Sequence, residues 1–168
     1  MEHVNQFDCG DAVWERDLAG WIRDPERALK DIEQGCQVWL WADNNGTLVG
    51  FGSLGITSWR VPNPNKSAPQ TISVVPAIAL SSAYQGKPVG VAPKHRYARI
   101  ILEDIIAEAI AYVETRPFIG LFVHVDNKKA IAFYKRAGFD EFGKPFLEKQ
   151  TGWFHQKMLY DLRRRSLT

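Results

Sequence analysis

At 168 residues, with 45% hydrophobic and 24% charged residues, the chain is long enough to bury a full core as one domain, residues 1–168, without metal or disulfide support. Two cysteines without metal-ligand spacing, and no run approaching a membrane span, argue against a disulfide framework or a membrane protein and lead us to expect a reduced, cytoplasmic setting. A net charge of +2 gives no reason in itself to expect a nucleic-acid partner, although the basic residues gather at 87–99, 128–136 and 163–165.

Taken in order, residues 1–10 read as extended, ending at Cys9-Gly10. Asp11 can cap a helix that carries Trp14, Leu18, Trp21 and Ile22 on one face. Asp24-Pro25-Glu26 has the cap, the proline and the first-turn acid of a second helix, expected to turn Ala28, Leu29 and Ile32 inward and to stop near Gly35. The apolar runs 36–42 and 47–56 flank Asp43-Asn44-Asn45-Gly46, whose Asn-Gly pair tolerates positive φ and closes a hairpin. Gly50, Gly52 and Gly55 in the second run mark bulges or the close approach of a ligand or another backbone. A polar loop rich in proline and asparagine follows at 62–69.

The next apolar run, 71–80, passes through Gln85-Gly86-Lys87-Pro88-Val89-Gly90 into a helical pattern at 97–113, with Ile100, Ile101, Ile105, Ala109 and Val113 on its apolar stripe. Strand, glycine turn and helix start together form a place to hold phosphate, because N–H groups at a helix N-terminus and in a glycine-permitted turn point outward with partial positive charge. Lys87, Lys94, His95, Arg96 and Arg99 add positive charge around it. A second apolar strand at 118–125 leads into Asp126-Asn127, a helix through Phe133-Tyr134, and Gly138-Phe139, where Gly138 suits a positive-φ helix cap. The runs 141–147 and 153–162 around Lys149-Gln150-Thr151-Gly152 form a closing hairpin.

Gln85-Gly86 with Gly90 after one strand, then a second strand followed by Asn127, Ala130, Phe133-Tyr134 and Gly138-Phe139, resembles the GNAT superfamily of acyl-CoA-dependent N-acyltransferases over roughly 36–147. The resemblance implies an α+β (mixed α/β) fold. Its central twisted sheet is mostly antiparallel, with a splayed parallel pair of fourth and fifth strands, here 71–80 and 118–125, and helices on both faces. It also implies acetyl-CoA as co-substrate, no metal, and direct transfer of acetyl to a primary amine, without an acyl-enzyme, so that Cys9 and Cys36 are not nucleophiles.

By the same resemblance the backbone of Leu80, Ser81 and Ser82 holds the pantetheine amides and polarises the thioester carbonyl. Gln85 and Gly86 open the diphosphate loop, and two registers remain open for the rest. In one, Gln85 to Gly90 with Lys87 is the whole loop, and Pro88 stands where the family has glycine, losing one N–H. In the other an insertion follows Gly86, and Arg96, Tyr97, Ala98 and Arg99 supply the last turn against the helix start. Asn127 corresponds to a CoA-contacting asparagine, and Tyr134 to the tyrosine that protonates the departing thiolate, a task suited to a phenol that is protonated at neutral pH. The general base stays open: the resemblance implies a carboxylate on the fourth strand or an ordered water, the strand 71–80 holds no acid, and His124 on the fifth strand is one candidate.

Three functions are compatible with these residues. The first is a small acetyltransferase acting on a small-molecule or peptide amine. The second, suggested by Phe7-Asp8-Cys9-Gly10, the two helices and Val75-Pro76-Ala77-Ile78, resembles GNAT-type toxins of toxin–antitoxin modules, which acetylate aminoacyl-tRNA, and is the only one with a nucleic-acid partner. The third, motivated by Pro88 and the missing strand acid, is an acyl-CoA sensor or interaction module without catalysis. None involves a membrane, and a homodimer is allowed.

Overall fold

The computed structural model describes residues 2–61, 68–90, 96–149 and 151–165. Most of the polar loop (62–67) and the segment 91–95, with Lys94 and His95, lie outside the described residues. The chain packs as two compact units, Met1–Gly55 with Pro76–Ala107, and Ile56–Val75 with Glu108–Thr168.

The first unit holds α1 (Glu2–Asn5), α2 (Val13–Arg23), α3 (Pro25–Glu33), β1 (Gln37–Ala42), the first part of β2 (Leu48–Trp59), β4 (Ile78–Leu80) and most of α4 (Tyr97–Ile110). The start of the chain is a short helix rather than extended. The cap of α2 is Ala12 rather than Asp11, and a Glu15 carboxylate oxygen accepts the Ala12 N–H at 2.9 Å in place of an aspartate cap. Asp24 caps α3 as expected, accepting from the Glu26 N–H at 3.0 Å. Of the inward face expected for α3, Ala28 packs against the core, whereas Leu29 and Ile32 are 54% and 46% exposed.

β2 pairs antiparallel with β1 and, on its other edge, with β4. Successive side chains of a strand point to opposite faces. Phe51 stacks on Trp21 of α2, with ring centroids 5.2 Å apart, so the neighbouring Gly50 and Gly52 face the other way. That second face takes α4. A Cβ on Gly52 would lie 2.5 Å from Ile105 Cδ1, and one on Gly50 would lie 2.7 Å from Ile101 Cδ1 and 2.6 Å from the Ala79 carbonyl oxygen. The two glycines therefore admit a helix and a neighbouring strand, with helices on both faces of this part of the sheet.

The second unit contains the end of β2, β3 (Gln70–Val75), β5 (Phe118–His124), α5 (Lys128–Arg136), β6 (Asp140–Leu147) and β7 (Phe154–Asp161), with strand order β2-β3-β5-β7-β6. The β3–β5 pair is parallel and every other pair whose register is resolved is antiparallel, giving the mixed, mostly antiparallel sheet expected. The run 71–80 is two strands, however. Parallel pairing with β5 spans Ser73 to Val75, Pro76 interrupts, and from Ile78 the chain pairs with β2 instead. Buried Ser53 secures this break, since its Oγ accepts the Ala77 N–H at 3.0 Å while its own N–H donates to the Ala77 carbonyl at 2.8 Å. The helix expected over 97–113 stops at Ile110 and continues as turns, with Thr115 N–H on the Tyr112 carbonyl at 3.1 Å.

Candidate active site

In the first unit, β4 has one partner strand and one outer edge. Its bonds to β2 fall on alternate residues: the Ser81 N–H donates to the Val49 carbonyl at 2.8 Å, and the Ala77 carbonyl accepts from Ser53. In an antiparallel ladder the residues between them turn their N–H and C=O groups the other way. Those residues are Ile78 and Leu80, and among the described residues no strand pairs with that edge. An extended amide chain can add to such an edge as a further strand would.

This corrects the expectation for 80–82. The Ser81 N–H belongs to the β2 ladder, and the Ser82 N–H donates to the Asp8 carbonyl at 2.9 Å, with the Ser82 hydroxyl on the Asp8 carboxylate at 2.5 Å. Of the three N–H groups only that of Leu80 lies on the outer edge without another described acceptor. Ile78, which was not expected there, faces the same outer edge as Leu80.

The chain beyond β4 is held closely. The Gln85 side-chain amide donates to the Cys9 carbonyl at 2.7 Å and to the Leu80 carbonyl at 3.3 Å, so Gln85 ties the turn down rather than reaching outward. Gly86 and Gly90 take φ of 73° and 61°, and the Lys87 N–H donates to the Tyr84 carbonyl at 3.2 Å. Pro88 and Arg96 pair as an antiparallel bridge, bringing the chain before and after 89–95 together at the start of α4. Tyr97, Ala98 and Arg99 form the first turn of α4, with the Arg99 and Ile100 N–H groups both on the Arg96 carbonyl, at 2.9 and 3.1 Å. The Arg99 guanidinium is paired with Glu103 at 2.5 Å, whereas Lys87 and Arg96 are exposed.

Asp8, Cys9 and Asp43, expected from the sequence in other roles, support this loop. Asp8 receives Ser82, the Cys9 carbonyl receives Gln85, and Asp43 in the β1–β2 turn accepts the Tyr84 hydroxyl at 2.7 Å. The position of Tyr84, directly before Gln85-Gly86, was the one available signal. Burial, reinforced by the Glu15 carboxylate, pushes the Cys9 thiol up to about 12, which suits a packed residue and not a nucleophile.

In the second unit, Asn127 caps α5 with its side-chain oxygen on the Ala130 N–H at 3.1 Å. Tyr134 is buried on α5 among aromatic rings, with Phe133 at 5.3 Å and Phe139 at 5.7 Å between centroids. Gly138, at φ 97°, closes the helix: its N–H reaches the Lys135 carbonyl and the Phe139 N–H the Tyr134 carbonyl, each at 3.0 Å. Burial holds the Tyr134 phenol well above the ordinary tyrosine range, so it is protonated throughout the neutral range.

His124, at the end of β5, packs edge-on to Trp153 and His155 with centroids 5.9 Å away in each case. Its Nδ1 accepts the Asp126 N–H at 3.2 Å. Among the described residues no group of three or more His, Cys, Asp or Glu could hold a metal ion, and no helix is long and apolar enough to cross a membrane.

The sequence pattern of the Acetyltransferase (GNAT) family matches residues 8–139. A search of curated proteins returned no match. Among solved structures, a bacterial toxin is similar at TM-score 0.71 and 16% identity, covering 97% of this chain and 85% of its own. AtaT complexed with acetyl-methionyl-tRNAfMet is similar at TM-score 0.67 and 15% identity, covering 98% of this chain and 90% of its own. The NatC complex bound to Gag peptide and CoA is similar at TM-score 0.57 and 17% identity, covering 95% and 89%. At these identities the likeness is one of fold.

Proposed function

Since the chain belongs to the acetyltransferase (GNAT) family, we propose that residues 1–168 act as one cytoplasmic domain that passes acetyl from acetyl-CoA directly to a primary amine in a ternary complex. The observation that carries this is the outer edge of β4 running through a positive-φ glycine turn to the start of α4, because one unit then offers amide partners and phosphate partners in sequence. Acetyl-CoA supplies an activated thioester. The Ile78 and Leu80 backbone hold its pantetheine amides, and the Leu80 N–H favours charge on the thioester oxygen. Backbone donors of this kind are typically worth about 2.7–4 kcal/mol of barrier. Gly86, Lys87 and the first turn of α4, with Arg96, Tyr97, Ala98 and Arg99, hold the diphosphate, and Asn127 contacts CoA. Tyr134 gives its phenolic proton to the departing thiolate, for which its buried, protonated state is suited.

The test is release of thiol from acetyl-CoA in the presence of a panel of amines. CoA binding with turnover on at least one amine supports the proposal. CoA binding without turnover on any amine favours the sensor reading instead.

A second reading places the acceptor amine on an aminoacyl-tRNA. It is motivated by the fold-level likeness to AtaT complexed with acetyl-methionyl-tRNAfMet. Growth arrest on expression that is lost in Tyr134→Phe, with tRNA binding that weakens steeply with salt, would support it.

A further inference from the structure

Tyr84 has no place in the diphosphate-binding motif, yet it meets both Lys87 and Tyr97 on the two described sides of the loop that follows β4. Its carbonyl accepts the Lys87 N–H at 3.2 Å and so closes the turn at Gly86. Its ring meets Tyr97, the first residue of α4, edge-on with centroids 5.2 Å apart, and Lys87 Nζ lies 5.8 Å from its centroid. Its hydroxyl donates to Asp43 Oδ2 at 2.7 Å. Asp43 is itself held: its Oδ1 accepts the Asn45 and Thr47 N–H groups, each at 2.9 Å, fixing the carboxylate on the β1–β2 turn. One residue therefore connects the glycine turn through its carbonyl, and the helix start and a basic group through its ring, to the β1–β2 hairpin of the same unit.

This loop needs such a support. Pro88 contributes no N–H, and the residues between Pro88 and Arg96 lengthen the chain whose ends must be brought together. Fewer backbone donors and a larger ordering cost both weaken anion binding, and a loop already held in its binding geometry recovers part of that loss. We infer that Tyr84, anchored by Asp43, is a positioning residue for the diphosphate end of acetyl-CoA: it holds Lys87, the Gly86 turn and the first turn of α4 in one arrangement. The inference rests on the acetyl-CoA reading above.

The test separates the diphosphate from the rest of the ligand. Dissociation constants of the full chain are measured for CoA by calorimetry and for pantetheine, which has the same amide arm and no diphosphate, by NMR titration. Tyr84→Phe keeps the ring contacts and removes the hydroxyl. Losing a hydrogen bond to a carboxylate on a binding loop should raise Kd for CoA about ten-fold, with Kd for pantetheine unchanged. Asp43→Asn retains the Oδ1 acceptor of the hairpin turn and should act in the same direction by a smaller factor. The double variant should be no weaker than Tyr84→Phe alone, as expected for two residues acting through one contact. Unchanged CoA binding in Tyr84→Phe, or equal losses for both ligands, overturns the inference. If the unaltered chain binds neither ligand, the acetyl-CoA reading itself has failed.

Discussion

Tyr134 and Phe139 are joined twice, by a 3.0 Å bond from the Phe139 N–H to the Tyr134 carbonyl and by ring contact at 5.7 Å and 60°. The backbone bond is the longer-range one of a glycine-closed helix end, in which the residue after the glycine folds back on the last turn. The glycine cap and the aromatic residue after it are thus the means by which the tyrosine ring is aimed and covered.

Gly138→Ala should test this relationship through stability. The residue sits at φ 97°, and an added Cβ would lie 2.9 Å from Tyr160 Cε2. Strain in the left-handed region and the contact with a packed ring add, so a loss of about 1–3 kcal/mol is expected from denaturant melts, with an unchanged m-value.

Tyr134 also sets an alkaline limit. Its folded pKa is raised by burial above the ordinary value of 10.0, so its stabilisation is complete below pH 10 and is lost as pH rises from there through the folded value. Stability measured between pH 9 and 12 should fall more shallowly in Tyr134→Phe than in the unaltered protein.

Gly50→Ala should destabilise more than Gly52→Ala. The new Cβ at position 50 meets the Ala79 carbonyl oxygen at 2.6 Å, and a strand backbone cannot move aside without breaking the β2–β4 pair. At position 52 the obstacle is the Ile105 Cδ1 at 2.5 Å, the end of a side chain with other rotamers. Thermal melts of the two variants should rank in that order, with losses of about 1–3 kcal/mol for the first.

Ser53→Ala removes the acceptor for the Ala77 N–H at the break between β3 and β4. A buried donor left without a partner costs about 1–3 kcal/mol. Since the break sets where β4 begins, CoA binding should weaken as well, which calorimetry on the variant can measure.

Much of this arrangement was readable in the residues, for reasons specific to each. Gly138-Phe139 and Asp24-Pro25 are local devices whose geometry depends on near neighbours, and both fold as their chemistry requires. The hairpin at Asp43 to Gly46 is the same kind of case, with Gly46 at φ 78°. What was not legible depends on distant partners. The break at Pro76 is settled by Ser53, and the closeness of Gly50 and Gly52 to α4 by Ile101 and Ile105. Ser81 and Ser82 have their N–H groups taken by Val49 and Asp8. The apolar residues of α3 misled because Leu29 and Ile32 have helical spacing but no surface against which to bury. For His124 the residue type shows nothing of its surroundings, such as the Asp126 N–H on its Nδ1.

The central claim, that a buried phenol serves the departing thiolate, is tested most directly by comparing the unaltered chain with Tyr134→Phe in calorimetric CoA binding and in thiol release from acetyl-CoA with an acceptor amine. CoA affinity should stay within about two-fold of the original while turnover falls at least about 100-fold, the lower range for loss of a general acid. Turnover equal to that of the unaltered chain would contradict the claim.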